Sequence, residues 1–417
     1  MFKIFQMNTP AIRVSERIFL LDCGRKYFTP TWIKKLINEI SAIGYNAINI
    51  HFADLMGIRL ESKRYPWLAG GDHTLCSFGR AHGMPENNEK YLTQDEMRDI
   101  VVYAKAKGIE VIPSLDTPGH MTYAIKKYKN HCGRDIGASY HKNGEVLTIS
   151  HTTTDDDPEV SKWSKCIDIS NPEAIEFAKN LYTEYGLFFH ALGCTSFDIG
   201  GDELLGWGEE GSIDKTVPKW QNLEHWENYA RKKTGNSKAV AYDAFILYMN
   251  EITSLLRGIG YKSIRMWNDD VYRITDTGWC GAAKFDQSID VQYWCPLTNN
   301  GANSAKFYLD KGHNIYNFTN LYTYYTLYPE ECPSRTTPKV ILNEWNPYLF
   351  APNNSESTTD NTFTFPPFNP ENYIKKRNDG IKGAGFCLWT DCPDRENEDE
   401  LLKNTRPYFT AVIKKML

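Results

Sequence analysis

The sequence predicts an α/β chain closed into a (β/α)8 TIM barrel, a single domain with long βα loops. Three observations predict it. Eight short apolar runs recur along the 417 residues, each read as followed by a helix-like stretch. Each run is continuously apolar rather than alternating, as strands covered on both faces are. Polar side chains then stand at the end of every run, which suits a barrel whose C-terminal rim carries the chemistry.

The first strand is expected at Ile18–Cys23, followed by a helix from Pro30 to Ile43 with Thr29 placed to cap it. The second, Ala47–Phe52, leads through a long polar loop to a helix over Gln94–Lys107. The third is Glu110–Leu115; a long insertion follows, and a helix over Pro172–Tyr185 closes that step. The fourth, Thr195–Ile199, runs into Gly-Gly-Asp-Glu and is followed by helices near Gln221–Lys233 and Ala241–Leu256. Strands at Ser263–Trp267, Val291–Trp294, Asn314–Phe318 and Gly385–Trp389 complete the eight, and an amphipathic helix over Asp399–Lys415 ends the series. Alternating strands and helices imply parallel βαβ units, and the count of eight favours closure over an open sheet. No GxGxxG phosphate fingerprint opens any helix. With no linker or break in composition, residues 1–417 read as one domain, with about 1–17 as an N-terminal extension.

Composition narrows the function. Hydrophobic residues make up 41% of the chain, enough for a sizeable core. The formal net charge of −5 is not the footprint of a nucleic-acid binder. Eleven Trp and 25 Tyr bring the aromatic fraction to 13%. Flat aromatic walls bury the apolar face of a sugar ring while polar groups take its hydroxyls, so a glycan partner suits this excess. No apolar run has the length that spans a bilayer, so no membrane partner is expected. The first residues lack the pattern of a signal peptide. The ten Cys contain no CxxC pair, which leans towards a reducing, cytoplasmic setting.

Read to their ends, the strands offer Asp22 and Arg25, then His51 and Asp54, then Asp116 and His120. The later strands offer Asp202 and Glu203, then Trp267, Asn268 and Asp269, then Trp294, Tyr322 and Tyr324, and finally Trp389 and Asp391. There is no Ser-His-Asp spacing, Walker loop or HExxH. Carboxylates beside aromatic walls are what glycoside hydrolysis needs. Asp202 and Glu203 are neighbours, so along a strand they would point to opposite sides. A turn, which Gly200 and Gly201 permit, could bring both towards one substrate. That arrangement disfavours an ordinary pair flanking one bond and leaves room for a nucleophile supplied by the substrate.

FDIGGDELLGW (Phe197 to Trp207) resembles the signature of glycoside hydrolase family 20. LDCGRKYF from Leu21, INIHFAD from Ile48, IPSLDTPGHM from Ile112, RMWNDD from Arg265, QYW from Gln292 and LWTD from Leu388 agree with that family in order and position. The resemblance implies a retaining β-N-acetylhexosaminidase acting on glycans by substrate-assisted catalysis, without cofactor or metal. It implies that Glu203 is the general acid and base and that Asp202 accepts the 2-acetamido N–H. Tyr322, with Tyr324 as the second choice, would donate to the acetamido carbonyl. Arg25 would bind O3 and O4, and Trp267, Trp294 and Trp389 would line the pocket. Asp269 would contact hydroxyls or pocket polar groups, and Asp54 belongs with the substrate-binding set. His120 with Asp116 would tune Glu203.

Three positions depart from the family pattern: Asp198 stands where His is usual, Ser114 where Glu is usual, and Asp391 where a Glu grips O4 and O6. The shorter Asp391 suits a wider pocket, so release of a disaccharide, as in lacto-N-biosidases, is the second expectation. A non-catalytic carbohydrate-binding barrel is a third. A metal-dependent hydrolase using Asp155–Asp157 or the Asp269–Asp270 pair is a fourth. His51 reads either as a core histidine or as a ligand contact, and Trp207 as a subsite platform or as loop packing.

Overall fold

The computed structural model describes residues 9–75, 89–142, 145–149, 161–204, 223–272, 282–295, 303–327, 336–351 and 370–417. Eight parallel strands build the barrel: β1 Glu16–Asp22, β2 Ala47–Asp54, β3 Glu110–Leu115, β4 Ser196–Asp198, β5 Ser263–Trp267, β6 Ile289–Tyr293, β7 Ile315–Asn317 and β8 Ile381–Trp389. Each pairs with the next in parallel, and β8 returns to β1 with Leu21 opposite Leu388, so the barrel closes. One level of the register runs Asp22–His51–Ser114–Asp198, which sets polar residues near the C-terminal ends of successive strands side by side.

The helices form where periodicity and caps agree. Pro30–Ile43 buries Trp32, Ile33, Leu36, Ile37 and Ile40 along one stripe. Thr29 accepts from Trp32 N at its start, and Gly44 ends it in the left-handed region at φ 111°. A full capping box, Thr93 with Glu96, opens Gln94–Ala106. Pro172–Ala191 runs six residues past its expected end, and Ala241–Ile259 three, because apolar side chains still face the core there.

The floor of the barrel is plugged by charge. Fully buried Arg265 donates to Glu16 at 2.6 Å and lies 4.1 Å from the centre of the Tyr316 ring, whose hydroxyl also donates to Glu16. The buried ion is paired and stacked, as it must be to tolerate so little water.

Some elements differ from the sequence expectation. β1 begins inside the expected extension, at Glu16. The insertion after β3 begins with an unexpected helix, Thr122–Cys132, whose cap position Met121 makes no side-chain cap bond. An antiparallel hairpin, Ser139–Lys142 with Glu145–Thr148, follows. Among the described residues no helix separates β5 from β6. No described helix is long and apolar enough to cross a membrane.

Candidate active site

The site is built on a turn that requires glycine at two positions. After β4, Gly200 (φ 66°), Gly201 (φ 85°) and Glu203 (φ 48°) are left-handed. A Cβ on Gly200 would sit 1.9 Å from the Asp116 carboxylate, and one on Gly201 would sit 2.7 Å from Met266 Cε. Four bonds then fix the peptide units of Glu203 and Leu204. Asp269 accepts from Glu203 N at 2.8 Å and Asp270 from Leu204 N at 3.1 Å. On the other side Lys165 Nζ donates to Glu203 O at 2.9 Å and Cys166 Sγ to Leu204 O at 3.0 Å. The result is that both carboxylates face one residue: His120 Nε2 lies 3.6 Å from an oxygen of Asp202 and 3.6 Å from an oxygen of Glu203.

Behind that turn runs a buried charge network. His120, itself left-handed at φ 54°, meets Asp54 through Nδ1 at 3.1 Å. Burial opposes its charge, but Asp54, Asp202 and Asp116 together raise its pKa well above the ordinary value. Asp54 was expected at the sugar. It is instead buried, with its oxygens engaged by Arg25 at 2.8 Å, His51 at 2.8 Å and His120. Burial works against its ionisation, yet Arg25 and His120 outweigh that and hold its carboxyl well below the usual range. His51 is a buried positioning residue rather than a ligand contact. Its second nitrogen meets Ser114 Oγ at 2.9 Å, which gives that departure from the family pattern a use. Asp198 does likewise, accepting from Asn49 Nδ2 at 2.8 Å and from Gly200 N at 3.1 Å at the root of the turn.

Asp116 accepts from Gly201 N at 2.9 Å, and a carboxylate oxygen of Asp116 lies within 4.8 Å of one of Asp202. Burial and mutual repulsion push Asp202 well above the usual range, while burial lifts Asp116 to about 7 against the pull of His120. No donor among the described residues reaches Asp202 Oδ1, although that atom is buried.

Aromatic rings wall the opposite side. Trp294 and Tyr324 are parallel within 10° at 6.3 Å, Tyr324 meets Trp389 at 5.8 Å, and Trp389 meets Trp267 at 6.2 Å. Trp267 is only 1% exposed and backs the wall rather than facing the opening. Asp269 is spent on the protein: it receives Trp294 Nε1 at 2.9 Å as well as Glu203 N. Tyr324 lies in this wall, whereas the hydroxyl of Tyr322 is drawn to Glu344 at 3.3 Å. Arg25 sits 5.4 Å over Trp389, pairs with Asp22 at 3.0 Å and Asp54, and lies 3.8 Å from Asp391. Burial pushes Asp391 up to about 6, against the pull of Arg25.

Two groups, Asp22–His51–Asp54 and Asp116–His120–Asp202, bring metal-ligand atoms within 4.8 Å of one another. Both are already engaged by protein groups, the first by Arg25 at Asp22 and Asp54 and the second by His120 itself beside Asp54, so they read as parts of the charge network. Of the acidic residues considered for a cation, Asp270 caps Leu204, and Asp155–Asp157 lie outside the described residues, as does Trp207. Sequence reasoning did not find Lys165 and Cys166. They end an insertion with no periodicity, so nothing in the pattern announced that they reach the turn at Glu203 and Leu204.

The profile described as "Glycosyl hydrolase family 20, catalytic domain" matches residues 16–402. The chain belongs to glycosyl hydrolase family 20. It is 34% identical over 122 residues to a β-hexosaminidase of Vibrio furnissii, covering 28% of this chain and 20% of that protein. It is 23% identical over 314 residues to a lacto-N-biosidase of Bifidobacterium bifidum, covering 75% of this chain and 22% of that one. The chain thus spans about a fifth of the length of each of these two relatives. Among solved structures, dispersin B superposes with a TM-score of 0.61 at 21% identity, over 96% of this chain and 99% of that one. That likeness supports the single-barrel fold.

Proposed function

We propose that the chain is a retaining β-N-acetylhexosaminidase that removes terminal β-linked N-acetylhexosamine from glycans, with the substrate's own acetamido group as nucleophile. The observation that carries the reading is Asp202: a carboxyl within 4.8 Å of the Asp116 carboxyl and the His120 ring, with a buried Oδ1 given no donor by the described residues. Such a group is poorly suited to attack C1 but well suited to accept an amide N–H.

In the first step Glu203 gives its proton to the glycosidic oxygen while the acetamido carbonyl oxygen attacks C1. The C1–O bond breaks and a ring-closed oxazolinium ion forms. Asp202 takes the acetamido N–H and offsets the positive charge that develops there. Tyr324 donates to the acetamido oxygen from the aromatic wall. Glu203, now a carboxylate, removes a proton from water as it attacks C1, reopening the ring with net retention. His120 fixes the carboxylates from behind, Arg25 and Asp391 take ring hydroxyls, and Trp294 and Trp389 stack on the sugar.

A second reading rests on Asp391: its side chain is 23% exposed and stops 3.8 Å from Arg25, which leaves width for a disaccharide. One experiment tests both. Release of p-nitrophenol is measured from β-linked GlcNAc, GalNAc, 6-sulfo-GlcNAc, lacto-N-biose and glucose, with the parent chain and with Glu203→Gln. Turnover of an N-acetylated substrate but not the glucoside, lost in the variant, supports the proposal, and the best leaving sugar names the specificity. Full activity in the variant, or none in the parent, overturns the chemistry and leaves a carbohydrate-binding barrel as the alternative.

A further inference from the structure

Opposite the mouth, at the N-terminal ends of the strands, lies a cleft of about 840 Å³ between the segment entering β1, the turn before β2 and residues 375–377. Four cations line it, Arg13, Arg17, Lys375 and Arg377, and no carboxylate among the described residues does. Among the described residues Arg13, Arg17 and Lys375 have no acidic partner, and Arg377 has only the exposed Asp379 at 3.6 Å. Arg17 is held in place by backbone carbonyls, of Gly44 at 2.7 Å, Val14 at 2.9 Å and Ser15 at 3.3 Å. Those bonds fix its guanidinium without neutralising it. Burial and the neighbouring Arg13 together lower its pKa, which records a local excess of positive charge in a chain of net charge −5.

Unpaired cations gathered against the overall sign of a protein are costly to keep together, and an anion relieves that cost. Guanidinium groups match the planar or trigonal faces of carboxylate and sulfate. The rest of the lining is mixed: Tyr348, Ile12 and Val14 give apolar surface, and Asn46 and Ser15 give polar groups. That mixture suits a sugar ring bearing charges better than a bare inorganic anion.

We infer that this floor cleft is an accessory binding site for an anionic polysaccharide, one carrying sulfate or uronate groups. It lies about 20 Å from the catalytic turn, the length of a barrel strand of six residues. It would hold a polymer while the mouth works elsewhere on the chain or on a neighbour, and it does not depend on the reaction proposed for the mouth.

The test is affinity electrophoresis of the whole chain through gels containing dextran sulfate, hyaluronate or neutral dextran. The comparison is the triple variant Arg13→Glu, Lys375→Glu, Arg377→Glu, with Arg13→Gln, Lys375→Gln, Arg377→Gln as a milder second variant. Melting and hydrolysis of the p-nitrophenyl substrate report on the fold and on the mouth. The expected result is retardation by at least one charged polysaccharide and none by neutral dextran. Salt should weaken it. Affinity should fall at least tenfold in the Glu variant and several-fold in the Gln variant, with melting and hydrolysis unchanged. Equal affinity in the folded variants, or no retardation of the parent, overturns the proposal. So does tighter binding of polyphosphate or single-stranded RNA than of either polysaccharide at the same residues, which would make the occupant a different polyanion.

Discussion

Lys165 Nζ donates a 2.9 Å hydrogen bond to the main-chain carbonyl of Glu203, across the peptide from the 2.8 Å bond that Asp269 accepts from Glu203 N. The acid is therefore placed by its backbone, gripped from an insertion on one side and from the end of β5 on the other. Lys165→Met should remove one grip without touching substrate. kcat should fall about tenfold, equivalent to about 1.4 kcal/mol of barrel-borne positioning, while KM changes little. Lys165→Arg should recover part of the loss. Steady-state kinetics check this; a change confined to KM would place Lys165 in binding instead.

Asp202→Asn should cost about 10²-fold or more in kcat, the scale of losing a donor or acceptor aimed at developing charge. The same variant should be more stable than the parent. A carboxyl whose pKa is raised on folding contributes most to stability below its unfolded value, about 3.9, and loses that contribution as pH rises towards its folded value. Asp202 is raised well above the usual range and Asp116 to about 7. The gain in stability should therefore be small near pH 4 and grow as pH rises towards 7. Calorimetry across pH would refute this if the gain were independent of pH.

The two tyrosines separate cleanly. Tyr324→Phe should lower kcat about 10- to 100-fold, because a hydroxyl in the aromatic wall is lost from the acetamido oxygen. Tyr322→Phe should leave kcat within about twofold, since its hydroxyl is 3.3 Å from Glu344. Reversed effects would return the role to Tyr322.

Asp391, raised to about 6 beside Arg25, is a carboxylate above that pH and an acid below it. As pH falls through about 6 the site loses an anionic acceptor for sugar hydroxyls, and KM should rise. In Asp391→Asn, KM should be high throughout and that inflection absent. A parent KM that is flat from pH 5 to 7 would separate Asp391 from sugar recognition.

How much of this was legible in the sequence follows from the kind of signal each part leaves. The strands announced themselves because burial on both faces makes a continuous apolar run; all eight residues of β2, for example, are buried. Helix Pro30–Ile43 was legible to the residue because Thr29, Pro30 and Gly44 bracket it. Helix Thr122–Cys132 was not, since it follows Pro118–Gly119–His120 and has no capping side chain. The Gly200–Gly201 turn could be inferred from the need to aim two adjacent carboxylates, and its left-handed angles bear that out. What sequence could not supply was partner choice. That Asp54 turns inward to Arg25, His51 and His120, and Asp269 to Trp294 and Glu203, is decided by neighbours far away in the chain. For the same reason the choice between Tyr322 and Tyr324 depended on which ring the short stretch after β7 presents to Trp294.

The central claim is that the substrate supplies the nucleophile, and one series tests it directly. kcat/KM is measured for p-nitrophenyl β-glycosides of glucosamine bearing N-acetyl, N-fluoroacetyl, N-difluoroacetyl and N-trifluoroacetyl groups. Each fluorine makes the carbonyl oxygen a poorer nucleophile while adding little bulk. Steep, successive losses of rate along the series are the expected result. A flat series, with every member hydrolysed at a similar rate, would mean that a protein group or water attacks C1, and would contradict the account built on Asp202.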